Sequence, residues 1–229
     1  MKTAIVTGAS GNLGQAVIAK FIAEGYKVVG TVIPNDPVPV DFPEENFEKV
    51  VVNLMDEADS EKFVANVISK YGSVDTAVLT VGGFAMGKMA DTSSADIMKQ
   101  YKLNFETAYH VARPVFAQMM KQNSGRLFII GSKPGLSADN GKGMIAYGLA
   151  KSLIFRLAEL MNGEAKGKNV VTCVVVPSTI DTPQNRKAMP DADPSKWVKP
   201  EDIANVIYYN SSAEAGVLRE TVLKVYNNS

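Results

Sequence analysis

Apolar and polar positions alternate between two periods along this chain. Runs of about four to eight residues rich in β-branched and other apolar side chains read as strands. They fall at Thr3–Val6, Lys27–Ile33, Phe47–Asn53, Asp75–Thr80, Arg126–Ile130, Val170–Val176 and Thr221–Tyr226. Between them, apolar residues recur three and four positions apart, the spacing of a helix with one buried face. This pattern predicts helices over Leu13–Glu24, Ser60–Tyr71, Asp96–Lys121, Ala146–Gly163 and Glu201–Tyr209. Pro114 lies inside the longest and predicts a kink there. Regular strand–helix alternation implies a parallel sheet covered by helices on both faces, and the valine-rich 170–176 run has the composition of a doubly covered strand. Two connections are long. Pro34–Glu45 holds four prolines, and Ser178–Pro200 holds four more and the only tryptophan, Trp197. The second follows a strand, and ligands bind at the carboxyl ends of parallel strands, so residues 178–200 are predicted to form a substrate-binding loop.

Composition narrows the picture. A length of 229 residues with 46% apolar side chains suits one α/β domain spanning 1–229. Twenty-four basic and twenty-four acidic residues cancel, which argues against nucleic-acid or anionic-membrane partners. No apolar run approaches the roughly 18 residues of a membrane span, and the first residues run directly into a strand without the apolar core of a secretory leader. Cys173 stands alone within an apolar strand, which predicts a packing role and a cytoplasmic location. His110 has no second histidine or cysteine ligand beside it, so no metal site is expected, and a core or interface position is predicted for it.

Chemistry enters with two short stretches. Thr7-Gly8-Ala9-Ser10-Gly11-Asn12-Leu13-Gly14 follows the first strand and opens the first helix. Glycines let the backbone turn tightly and approach an anion, and the helix N-terminus offers N–H groups and a positive dipole end. The alternative is a tight turn without a ligand. Tyr147 and Lys151 lie four apart on a predicted helix and so share one face. A phenol ordinarily titrates near 10, and a neighbouring ammonium lowers that value toward useful acid–base chemistry.

The spacing Gly8-x-x-x-Gly-x-Gly14, combined with Tyr147-x-x-x-Lys151, resembles the short-chain dehydrogenase/reductase family over essentially the whole chain. That resemblance implies a single Rossmann-type doubly wound sheet of about seven strands, binding NAD or NADP. It implies Tyr147 as acid/base, Lys151 as modulator of the phenol and ribose contact, Ser132 as donor to the substrate oxygen, and Asn104 as support for a proton relay. Ser132 lies fifteen residues before Tyr147, about two more than the family interval, and Gly141-Lys142-Gly143 offers slack. The dinucleotide is expected to touch Gly8, Ser10, Gly11, Asn12, Leu13 and Gly14. Asn53 and Leu54 are expected near the adenine, Gly82 and Gly83 beside the cofactor, and Pro177, Ile180 and Thr182 near the nicotinamide. Thr80-Val81-Gly82-Gly83 replaces the family's usual Asn-Asn-Ala-Gly. Val32 and Ile33 end the second strand where an acid would select NAD, which leaves Asn35 or Asp36 as substitutes and the choice of nucleotide open.

Phe84, Met86, Met144, Met189 and Trp197 are predicted to line an apolar substrate pocket, and Arg186 to meet an anionic substrate or to hold the loop to Asp191 or Asp193. The reaction expected is hydride transfer between nicotinamide and a small carbonyl or alcohol. Gly82-Gly83-Phe84 and Asp181-Thr182-Pro183-Gln184-Asn185-Arg186 are also similar to quinonoid dihydropteridine reductase, which offers a second substrate class; a non-catalytic dinucleotide sensor or scaffold is the third reading. By resemblance, a homodimer or homotetramer is expected, packed through the helices at 96–121 and 146–163.

Overall fold

Seven parallel strands stand side by side in the order β3-β2-β1-β4-β5-β6-β7 in the computed structural model, which describes residues 1–219 and 222–228. They are β1 (Thr3–Thr7), β2 (Lys27–Val32), β3 (Phe47–Val51), β4 (Thr76–Leu79), β5 (Ser124–Ile130), β6 (Asn169–Pro177) and β7 (Val222–Val225). The first residue predicted for the last strand, Thr221, lies outside the described residues. Alternate side chains leave each strand on opposite faces. Ile5, Val29, Ala77, Leu79, Leu127, Ile129 and Val174 enter one core; Val6, Val28, Val78, Phe128, Ile130, Cys173 and Val175 enter the other. The first core is closed by α2 (Glu57–Tyr71), α4 (Thr107–Gln122) and α6 (Ile145–Glu164), the second by α1 (Asn12–Ala23) and α8 (Pro200–Ser211). Cys173 is buried there, as its apolar neighbours predict.

Most boundaries move by a few residues for local reasons. α2 begins ahead of the predicted Ser60 because the Asp56 carboxylate caps it, accepting from the Asp59 N–H, and Gly72 ends it in the left-handed region at φ 78°. The long helix predicted over 96–121 is instead α3 (Ser94–Tyr101), a wide π turn over Lys102–Glu106, and α4. The interruption is centred on Asn104, and α4 runs on through Pro114, the predicted kink. A π turn inserts one residue per turn, here seen as Thr107 N–H bonded to the Lys102 carbonyl five residues back. Two short helices escape the periodicity, α5 (Lys133–Leu136) and α7 (Pro183–Ala188), capped by the Ser132 and Thr182 hydroxyls. None of the helices described is long and apolar enough to cross a membrane.

The chain passes outward from β1 to β3 and then returns to place β4 on the other side of β1. The loops leaving β1 and β4 therefore diverge, and a crevice opens between them at the carboxyl edge.

Candidate active site

The turn from β1 into α1 is built around contacts that exclude any side chain at Gly14. A Cβ there would overlap the Gly8 carbonyl oxygen, and Gly8 itself sits at φ +68°. Gly11 N–H closes the turn on the Gly8 carbonyl at 3.0 Å, and Ala9 N–H ties it to the Thr31 carbonyl at 2.8 Å. Gly11 caps α1 without a side-chain hydrogen bond, and the first turn carries no acid. A positive dipole end with no internal anion fits a diphosphate. The side chain of Leu13 is buried in the core, so what that residue offers a ligand is its main-chain N–H. Asn12 extends its amide to Gln184 Oε1 at 3.0 Å, joining this turn to α7 across the crevice.

Beyond β2 a carboxylate takes up position beside the same turn. Ser10 Oγ donates to Asp36 Oδ2 at 2.6 Å and the Val38 N–H donates to Oδ1 at 3.0 Å. Those two donors hold the Asp36 carboxyl below the usual carboxylate range. Asp36 lies in a loop just past the strand end, where strand periodicity gives no sign of it.

At the ends of β4 and β5 four polar side chains converge. Ser132 is buried and caps α5, and its hydroxyl lies near enough to the Tyr147 phenol to pull the phenol's pKa down. The fifteen-residue interval is taken up by α5 and a 3₁₀ turn over Ala138–Gly141, so the extra length does not displace the serine. Lys151 is buried with its ammonium donating to the Ile130 carbonyl at 2.7 Å. Asn104 is buried in the π turn, its Oδ1 accepting from Gly83 N–H and its Nδ2 donating to the Gly83 carbonyl, both at 3.0 Å. Gly82 threads between the two: a Cβ on it would stand 2.6 Å from Asn104 Oδ1 and 3.1 Å from Lys151 Nζ. Thr80, at the place of the family's first asparagine, replaces that tether by donating from Oγ1 to the Thr7 carbonyl at 2.6 Å.

The electrostatics depart from expectation. Burial pushes the Tyr147 phenol above its ordinary value, and the opposing pull comes from the Ser132 hydroxyl rather than from Lys151. Burial also lowers the Lys151 ammonium from 10.5 to about 8. The Lys151 ammonium is directed at the Ile130 main-chain carbonyl.

The predicted substrate wall assembles only in part. Phe84 is 64% exposed and meets the Tyr147 ring edge-on, with centroids 5.3 Å apart. The segment after β4 is pinned to the start of α6 by Gly87 N–H to the Gly143 carbonyl at 2.8 Å and Ile145 N–H to the Gly87 carbonyl at 3.0 Å, leaving Met86 exposed beside Phe84. Met144 faces a neighbouring groove with Pro134, Leu136 and Leu149, and Met189 is exposed in the loop after α7. Trp197 is 7% exposed, and its carbonyl accepts from the Asn227 amide at 2.9 Å. Arg186 pairs with Asp181 through both ends of its guanidinium, at 2.6 and 2.8 Å, not with Asp191 or Asp193. Leu54 packs in the core and Asn53 engages Asp59 and Met55, while the Leu54 carbonyl meets His110, which is buried. Pro177 ends β6, and Ile180 bridges to Val198 at the base of the loop that Thr182 continues. Among the described residues no cluster of ligating side chains suits a metal.

Sequence reasoning missed Gln100. It is buried one turn before Asn104, and its Oε1 accepts from Asn104 Nδ2 at 2.9 Å. The four-residue spacing was the available signal, since Gln and Asn so placed on a helix bond one another.

Comparison with known proteins agrees with this geometry. The chain is 26% identical to the 3-oxoacyl-(acyl-carrier-protein) reductase FabG of Salmonella typhimurium, over 98% of this chain and 95% of that one. It is 27% identical to a cyclic-di-GMP-binding biofilm dispersal mediator protein of Escherichia coli, over 93% and 91%. A short-chain dehydrogenase/reductase from Serratia marcescens superposes with a TM-score of 0.88 at 22% identity, covering 99% and 97%. The aldohexose dehydrogenase of Thermoplasma acidophilum, in ligand-free form, gives 0.83 at 22%, covering 98% and 92%. The family model for short chain dehydrogenase matches residues 2–193, and the chain belongs to that family of oxidoreductases.

Proposed function

We propose that this protein reduces a carbonyl group on a small, largely apolar substrate with NADH, Tyr147 being the proton donor. The observation that carries the reading is the placing of the Ser132 hydroxyl beside the Tyr147 phenol, within a crevice whose other wall is the uncapped end of α1. A phenol held above its ordinary value keeps its proton at neutral pH and serves as an acid. Ser132 orients the substrate oxygen, Tyr147 protonates it, and Lys151 and Asn104 hold the proton supply behind the phenol. A nicotinamide bound in the crevice supplies the hydride. Gly8, Ser10, Gly11, Asn12, Leu13 and Gly14 cradle its diphosphate, and Gly82, Gly83, Ile180 and Thr182 flank the reacting end. A serine aimed at an oxygen suits a ketone better than a quinonoid ring.

Asp36 is the basis for naming NADH. Its carboxylate, held against Ser10 in the loop after β2, accepts from a ribose hydroxyl and repels a 2′-phosphate. Phe84 and Met86 form an apolar wall, and Arg186 is already neutralised by Asp181, so a neutral reacting end is favoured. Relatives named for 3-oxoacyl and acetoacetyl thioester reduction make such thioesters the first substrates to try. α6 exposes Leu149, Leu153 and Leu160, an apolar face that a second copy of this chain covers in a homo-oligomer. A buried lone cysteine suits a cytoplasmic protein. The test is NADH consumption across a panel of ketones and 3-oxoacyl thioesters, with the alcohol identified by mass. Turnover with at least one member is expected; NADH binding with no turnover on any would overturn the reading in favour of a sensor.

A further inference from the structure

At the amino edge of the sheet, opposite the crevice, two arginines crowd together without a carboxylate. Arg126, near the start of β5, is 7% exposed. Its Nη1 donates to the carbonyls of Gly125 at 3.0 Å and Asn169 at 2.9 Å, and its Nη2 to Asn169 Oδ1 at 2.9 Å and the Gly216 carbonyl at 3.4 Å. Arg219, exposed in the connection between α8 and β7, donates from Nη1 to the same Gly216 carbonyl at 2.8 Å and to the Leu218 carbonyl at 2.9 Å. Two like charges thus meet across a single oxygen. Every one of these acceptors is neutral, so the N–H groups are satisfied while the charges stay uncancelled. Among the described residues neither arginine forms an ion pair. A guanidinium does not shed its proton to relieve that cost. Burial first, and the charge of Arg219 second, press the Arg126 guanidinium below its ordinary value.

The acids nearby are engaged elsewhere. Asp75 accepts from the Thr3 N–H at 2.8 Å and from Ser73 Oγ at 3.2 Å. The Ser212 hydroxyl and, more weakly, Lys2 hold the Glu214 carboxyl below its ordinary value. A cavity of about 340 Å³ opens at this place, walled by Lys2, Ser124, Arg126, Asn169, Ser212 and Gly216. Among the described residues Arg126 Nε donates to no protein atom, nor do Nε and Nη2 of Arg219. We propose that this cavity binds a phosphate group, held by Arg126 and Arg219 with Lys2 on the wall. A doubly charged oxyanion offsets two guanidiniums and takes donors from several directions, whereas a carboxylate brings one charge in one plane. Free phosphate and a small phosphate monoester share this chemistry.

The test is thermal unfolding at about pH 8, where phosphate is a dianion, in inorganic phosphate, phenyl phosphate, acetate and chloride matched in ionic strength. Inorganic phosphate at about 50 mM is expected to raise the melting temperature by about 5 °C over chloride, and acetate by less than about 1 °C. Arg219→Gln, at an exposed position, is expected to lose more than half of the phosphate-dependent rise while melting within about 1 °C of the parent in chloride. Arg219→Lys, which keeps the charge, should retain most of the rise. General salting effects, and any phosphate taken up by the turn before α1, are common to the parent and the variants and cancel in the difference. A larger rise with phenyl phosphate than with the free ion assigns the site to an organic phosphate, and an equal or smaller one to the free ion; both uphold it. Equal rises in the parent and Arg219→Gln would overturn the proposal. So would a phosphate effect no greater than that of acetate.

Discussion

Burial of the Lys151 ammonium costs the fold stability. That ammonium titrates at about 8 in the folded chain and near 10.5 when unfolded. The folded state therefore binds its proton less tightly, a penalty fully present below about pH 8 and removed as pH rises through about 10.5. At 1.36 kcal/mol per pH unit the penalty is about 3 kcal/mol. Comparing the parent with Lys151→Met by urea denaturation at about pH 7 and pH 10.5 cancels the other titrating groups; the parent should gain about 3 kcal/mol on the variant over that interval. A constant difference would mean the ammonium is solvated. Asp36 gives a second residue-scale expectation. Asp36→Asn should raise NADPH affinity relative to NADH by about tenfold in calorimetric titration, and no change would remove Asp36 from nucleotide selection. Spacing put Tyr147 and Lys151 on one helix face, while Ser132 and Asn104 were singled out only through family resemblance. The burial of Trp197 was not legible, because a tryptophan in a long loop has the same signature whether it is exposed or buried. Asp36 was one of two open choices, since its place depends on how an irregular loop folds back to Ser10.

At the scale of elements, the loop from Ser178 to Pro200 is held by partners far away in sequence. Asn227, in the left-handed region at φ 52°, donates its amide to the carbonyls of Trp197 at 2.9 Å and Ser195 at 3.2 Å. Ser178 Oγ donates to the Tyr226 carbonyl at 2.8 Å, and Val198 pairs with Thr179 and Asp181 across the base. Asn227→Ala should leave the melting temperature nearly unchanged, raise substrate KM several-fold, and speed proteolytic cleavage within residues 183–196. Unaltered KM and cleavage would show that the loop is held without it. Strand and helix existence was readable from period alone, because burial on two faces imposes it. The π turn was not: it accompanies the tie of Asn104 to Gly83, a contact twenty-one residues apart in sequence, whereas Pro114 advertises itself locally and interrupts nothing.

At the scale of the whole molecule, the sheet order makes the site. Reversal of strand order beside β1 opens the crevice, and α1 and α6 bring an uncapped helix N-terminus and the Tyr147 phenol to its two walls. Nothing in the strand pattern specifies that order; the glycine turn and the Tyr147–Lys151 pair did so through family resemblance. The central claim is that the Tyr147 phenol gives its proton to a substrate while NADH occupies the crevice. It is tested most directly by measuring kcat and NADH Kd together in Tyr147→Phe, which keeps the ring against Phe84 and removes only the hydroxyl. The account predicts a fall in kcat of about 10²- to 10⁴-fold with Kd within about twofold. Full turnover without the hydroxyl would contradict it.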